Sequence, residues 1–339
     1  MKNITTYIYE SVNDSKVKAI IDEFFNNLDA LSIIRKQHFL TRLSLCDVPQ
    51  AKDLKLNTGI DDVIKVTKEI VSLIDKKDYK KIMDKYIVIP YKNINKDKDV
   101  VYNWLMSFDD EKTLKYFAVG YLSEKLDIIE RTGSTDMVDF WEDIYEIYKD
   151  IDELIKFHND DKIDCKNNCG TIYVNWMGNA YYVLKSDELK FKKKIDLEDW
   201  KRTRKVFTNM DKYDNTSVYG VTHSIINGSR YYTQPLDSEE FKEELDYINK
   251  FLIYEKDKKY ELDGFVTIDL LCECALCLKL ANSEEYNEWK NVRDFMMNKI
   301  DKDTNILQSN SRNKNDKKEN LEKNEHSNVL FILLNKIKL

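Results

Sequence analysis

A histidine, hydroxyls, an asparagine and an arginine are concentrated between residues 219 and 232, in the stretch YGVTHSIINGSRYY, which is otherwise patterned for burial. Polar groups inside a core need partners. On a helix, His223 and Asn227 are four apart and Arg230 is three further on, so all three share one face, with Thr222 beside them. If that face points inward it lines a cavity, with His223 as acid or base and Thr222, Asn227 and Arg230 as ligand-binding groups. The plainer reading makes His223 a hydrogen-bonding brace to a neighbouring helix.

A second candidate lies in DGFVTIDLLCECALCLKL, where Asp269 and Glu273 stand four apart within an apolar segment. Paired carboxylates beside a cavity serve as general acid and base or hold a hard cation. Equally, Thr267, Asp269 and Glu273 form the solvent side of a surface helix. The third candidate is EHSNVLFILL, where His326 and Ser327 precede a fully apolar run and echo His223 and Ser224. His326 then completes a site with the two carboxylates, or Ser327 or Asn328 caps a helix beside a solvated His326. His223, Asp269, Glu273 and His326 are the catalytic candidates.

Cys272, Cys274 and Cys277 sit at steps of two and three, which spread their sulfurs over different helix faces, so they read as buried apolar thiols. Cys165 and Cys169 lie in a polar stretch, and that spacing without a second pair is weak as a metal signal. No metal or cofactor is assigned, although His223, His326, the acids and Cys272 together make a lesser metal-site alternative. Walker A, dinucleotide-binding, HExxH and GxSxG patterns are absent, which removes support for the common nucleotide, nicotinamide, zincin and α/β-hydrolase classes.

These residues must be positioned by helices. With 8 Gly and 3 Pro in 339 residues, against ordinary shares of about 7% and 5%, the chain lacks the punctuation of a sandwich or barrel. Apolar residues recur at steps of three and four in Val17, Ile20, Ile21, Phe24, Phe25 and Leu28, and again in Ile60, Val63, Ile64, Ile70, Val71 and Ile74. Similar stripes fall at 116–129, 137–151, 172–184 and 197–210. Further ones follow at 218–232, 241–254, 265–280, 286–300 and 329–337. Pro49 and Pro90 fall in expected links, and Asp196 with Asp199 makes a variant capping box. The expected fold is all-α: a multi-helix array of helical hairpins, closed as an α/α toroid or extended as a solenoid-like stack. The polar run NDDKIDCKNNCG suggests an N-terminal region of 1–160 and a C-terminal region of 161–339, unless the two form one continuous domain. A polar loop is expected at about 301–328.

The charge is −7, from 54 basic and 61 acidic residues. Both signs are interleaved, so no phosphate-binding surface stands out and nucleic acid is not an expected partner. The first residues lack the apolar run of about 7 to 15 that an export signal needs. No stretch approaches the roughly 20 apolar residues of a membrane span. Six scattered cysteines suit free thiols in a cytoplasm.

In their order, YGVTHSIINGSRYY, DLLCECALCLKL and EHSNVLFILL resemble a family of uncharacterised bacterial helical domains over residues 170–339. The resemblance implies no activity; it groups Thr222, His223, Asp269, Glu273 and His326, and the polar insertion before His326 departs from it. The sequence leaves open whether the protein is an enzyme. Its best reading is a cytoplasmic helical protein with a polar cavity that binds or processes a small molecule or peptide. The alternative is a non-catalytic scaffold of stacked helices, favoured by 21 tyrosines, a residue type enriched at interfaces.

Overall fold

The computed structural model describes residues 12–45, 60–88, 213–229, 231–232, 235–263, 266–308 and 316–336, together with Ala118, Leu122, Arg204 and Thr208. Its α-helices are α1 (Ser15–Asn26), α2 (Ile33–Leu45), α3 (Ile60–Asp75), α4 (Tyr79–Ile82), α5 (Asn215–Gly228), α6 (Lys242–Asp257), α7 (Ile268–Leu280), α8 (Trp289–Met297) and α9 (Lys317–Lys336). Among the described residues the one strand-type pairing is an isolated bridge between Ile300 and Leu307, so the fold is all-α. Apart from the four single residues, the stripes expected at 116–129, 137–151, 172–184 and 197–210 lie outside the described residues. So do Pro49, Pro90, Asp196, Asp199, Cys165, Cys169 and the boundary expected near residue 160.

The chain divides into two compact units, Met1–Asp62 with Gly228–Leu339, and Val63–Asn227. In the first, α9 packs against α7, α2 and α1, and α7 also packs against α6 and α8. Helix α7 is central because its sequence, IDLLCECALCLKL, is apolar on every side. Its residues are buried from Leu270 to Leu280, and the Thr267 side chain caps it by accepting from Leu270 N at 3.1 Å. It is therefore no surface helix.

Helix α1 begins where Asp14 Oδ1 accepts from Lys16 N at 2.8 Å and buries Val17, Ile20, Ile21 and Phe24 on the expected stripe. Helix α2 returns beside it, with Phe39 stacked on Phe24 at 4.9 Å between ring centroids. This second helix was not among the expected stripes. Its start is tied to α9, since the Glu322 carboxylate accepts from Ser32 N at 2.7 Å.

Helix α9 begins at Lys317 and not at residue 329, which shortens the expected polar loop. Asp316 supplies the cap: its Oδ1 accepts from Glu319 N at 3.1 Å. His326 therefore lies mid-helix, and neither Ser327 nor Asn328 is an N-cap. Asn328 is sealed, accepting from Leu307 N and donating to Leu307 O, both at 2.9 Å, which fastens the preceding segment to α9. At the far end Lys279 donates to Leu334 O at 2.5 Å, and burial with Arg293 nearby brings its ammonium down to about 8.

In the second unit, α3 buries Ile64, Ile70, Val71 and Ile74. It stops at Lys77, whose φ of 55° is left-handed, while Asp78 N donates to Leu73 O at 2.9 Å. Helix α5 buries Val218, Val221, Ile225 and Ile226 with Thr222, Ser224 and Asn227 among them. No helix among the described residues is long and apolar enough to cross a membrane.

Candidate functional site

Asp269 and Glu273 are one turn apart on α7, and α9 brings His326 against them, each offering one nitrogen or oxygen atom within 4.8 Å of the others. His326 Nδ1 donates to Asp269 Oδ1 at 2.5 Å, and the Ser327 hydroxyl donates to the same oxygen at 3.2 Å. Glu273 is sealed, whereas the Asp269 and His326 side chains keep 26% and 31% of their exposure, enough for a ligand to touch them.

Alongside stands a second pair that the sequence reading did not single out. His38, on α2, donates from Nδ1 to Glu325 Oε1 at 2.8 Å, and Arg35 on the same helix holds Glu325 Oε2 at 3.3 Å. Glu325 has no exposed side-chain surface; His38 retains 24%. The two imidazoles lie 5.0 Å apart between ring centroids. The site is thus two carboxylate–histidine pairs placed side by side, three helices contributing.

The pairs differ electrostatically. Burial brings the His38 imidazole from 6.5 down to about 4; Glu325 opposes this, while His326 and Arg42 add to it. Burial also works against a charged His326, but there Asp269, through its charge and hydrogen bond, and Glu273 and Glu325 outweigh it and raise the imidazole above 6.5. Burial pushes the Asp269 carboxyl up, yet His326, Ser327 and Arg35 hold it below its ordinary value. Glu325 behaves likewise, burial opposed by His38, Arg35 and His326. Between about 4 and 6.5 the arrangement is therefore a neutral imidazole beside an imidazolium, with the Asp269 and Glu325 carboxylates holding them. Burial drives the Tyr232 phenol and the Cys272, Cys274 and Cys277 thiols well above their ordinary values, so they stay protonated, and all three cysteines are buried.

Asp269, Glu273 and His326 suit a divalent cation in donor type, although Nδ1 of His326 and Oδ1 of Asp269 are engaged with one another. Of the remaining predicted residues, Thr222, His223 and Asn227 belong to the second unit. The His223 ring donates from Nδ1 to Tyr219 O at 2.8 Å, within its own helix, and the Thr222 hydroxyl donates to the same carbonyl at 3.0 Å. Arg230 lies outside the described residues. A groove of about 500 Å³ lined by Asp78, Lys80, Lys81, Asp84 and Lys85 contains none of the predicted residues.

His38 and Arg35 were missed because α2 was missed. The available signal was Arg35, His38 and Arg42, at steps of three and four, flanking the stripe of buried Phe39, Leu40 and Leu43. No curated protein and no solved structure matches this chain. Residues 194–338, which include Asp269, Glu273, Glu325 and His326 but not α2, match the family model described as "Domain of unknown function (DUF3541)".

Proposed function

We propose that the first unit carries an acid–base site that binds and processes a small molecule or peptide. His38 is its proton acceptor through Nε2, and His326 its proton donor through Nε2–H. The observation that carries this reading is the side-by-side placement of two partly open histidines, each with Nδ1 held by a carboxylate. A carboxylate on Nδ1 fixes tautomer and orientation, leaving the opposite nitrogen for a ligand. Two like groups pushed apart in protonation divide the acid and base roles between them. Asp269 and Glu325 position the rings, and Glu273 supports the charge on His326. The scaffold we propose is the α/α toroid or solenoid-like array; free thiols at Cys272 and Cys274 suit a cytoplasmic setting. No step is assigned to His223.

NMR of the histidine rings tests the reading. The chain has four histidines, and His38→Asn and His326→Asn variants assign the two signals. His38 is expected to stay neutral down to about 4, while His326 remains protonated above 6.5. Both rings titrating together near 6.5 would overturn the division of roles, and stoichiometric metal in the purified protein would replace it with a metal site. A panel of esters, amides and phosphoesters then separates processing from binding. Turnover lost in His326→Asn supports an enzyme; binding without turnover supports the non-catalytic alternative.

A further inference from the structure

Helix α2 presents Arg42 one turn beyond His38, on the face that also carries Arg35. The two arginines differ in how their charge is met. Arg35 is paired with Glu325 at 3.3 Å. Arg42 is not paired with a carboxylate among the described residues, and its Nη1 is sealed from solvent without a hydrogen-bond partner. The side chain as a whole is only half-buried, so an approaching group has a route to it.

The guanidinium is also held in place. Its central carbon lies 4.0 Å over the Tyr231 ring and 6.0 Å from the Tyr232 ring. Both tyrosines are buried and both have left-handed backbones, φ 57° and 68°, a conformation rare for a bulky residue and rarer for two in succession. Surrounding structure must hold such a conformation in place, and segments like it gather at ligand-binding sites. A guanidinium held over a ring face by cation–π attraction keeps N–H donors with which to meet an anion.

We propose that Arg42 is the anion-holding residue of this site and takes a carboxylate or phosphate group of the ligand. This inference rests on the acid–base reading above, because it places the anionic group beside the two histidines that would act on the rest of the molecule. A planar fork of donors matches both anions, so the chemistry is shared between them and only binding measurements separate the two. Arg35, already held by Glu325, serves to keep the His38 pair in register.

The test uses the full chain and two probes, inorganic phosphate and acetate, each titrated at pH 7 against matched sodium chloride while the His38 and His326 ring signals are followed. Saturable shifts with one or both anions, and none with chloride, are expected. Arg42→Gln should weaken that binding tenfold or more, and Arg42→Lys should retain part of it. Phosphate binding alone identifies a phosphorylated ligand; acetate binding alone identifies a carboxylate ligand. If neither anion shifts the wild-type signals, or if Arg42→Gln responds as wild type does, the proposal is wrong. The wild-type titration stands even where a variant fails to fold. The acid–base reading fails separately, by the two histidines titrating alike, whatever the anions do.

Discussion

At the scale of single residues, the His326–Asp269 pair sets a pH dependence whose sign follows from its environment. The folded imidazole is raised above its ordinary 6.5. Its contribution to stability is therefore complete below 6.5 and lost as pH rises through the raised value. His38 has the opposite sign. Its folded value is brought down to about 4, so the unfolded chain takes up a proton first and stability falls as pH drops from 6.5 towards about 4. Asp269 and Glu325 are held below their ordinary values, so their contribution is complete above those ordinary values and is lost as pH falls from them through the lowered ones. Asp269→Asn removes the charge that most favours the His326 imidazolium. Urea denaturation should show it destabilised by about 1 to 3 kcal/mol at pH 6, the range for a buried charge-assisted hydrogen bond. The deficit should shrink as pH rises through the raised His326 value and the wild-type imidazole loses its proton; a deficit that does not change with pH would mean that the pair carries no charge.

At the scale of elements, what positions the site is the packing of α2 onto α1 and α9, and its key side chain is Phe39. Its ring is fully buried against Phe24, one residue from His38. Phe39→Ala should cost about 3 to 5 kcal/mol, as large-to-small changes in a packed core do. It should also let the His38 ring signal move towards 6.5 as burial is lost, whereas His326 shifts less. A stable variant with an unmoved His38 would show that α2 is held by other contacts. The stripe of α1 was readable in the sequence because its apolar residues are regularly spaced. Helix α2 was not, because its apolar residues are interleaved with Arg35, His38 and Arg42, and those polar residues face protein. The same inversion hid the true start of α9, where Asn324, Glu325 and Asn328 are polar in sequence and sealed in the fold. Asp269 and Glu273 were readable as a pair, one turn apart on one helix. That His326 joins them across 57 residues is a matter of helix packing, which periodicity does not encode.

At the scale of the whole molecule, the first unit is discontinuous, with Met1–Asp62 and Gly228–Leu339 folded together. The family match at 194–338 covers only the second of these segments. Four contacts show what the first segment supplies to α9. Arg35 and His38 meet the sealed Glu325, Ser32 engages Glu322, and Glu23 pairs with Lys317 at 2.9 Å. Without the first segment the Glu325 carboxylate loses both of its partners, and the apolar face of α9 that packs on α1 and α2 meets water. An unpaired buried charge and an uncovered core face each destabilise a fold strongly. A fragment of residues 228–339 should therefore melt without a cooperative transition, and adding a separate fragment of residues 1–62 should restore one that depends on the concentration of both. Glu325→Gln in the long fragment should relieve part of the burden, since an amide needs no counter-charge, but it should not restore cooperativity. Circular dichroism melts of each fragment and of their mixture decide the matter. A cooperative transition in the long fragment alone, unchanged when the short one is added, would mean that α1 and α2 are accessory to the fold and that His38 is brought to the site without helping to build it.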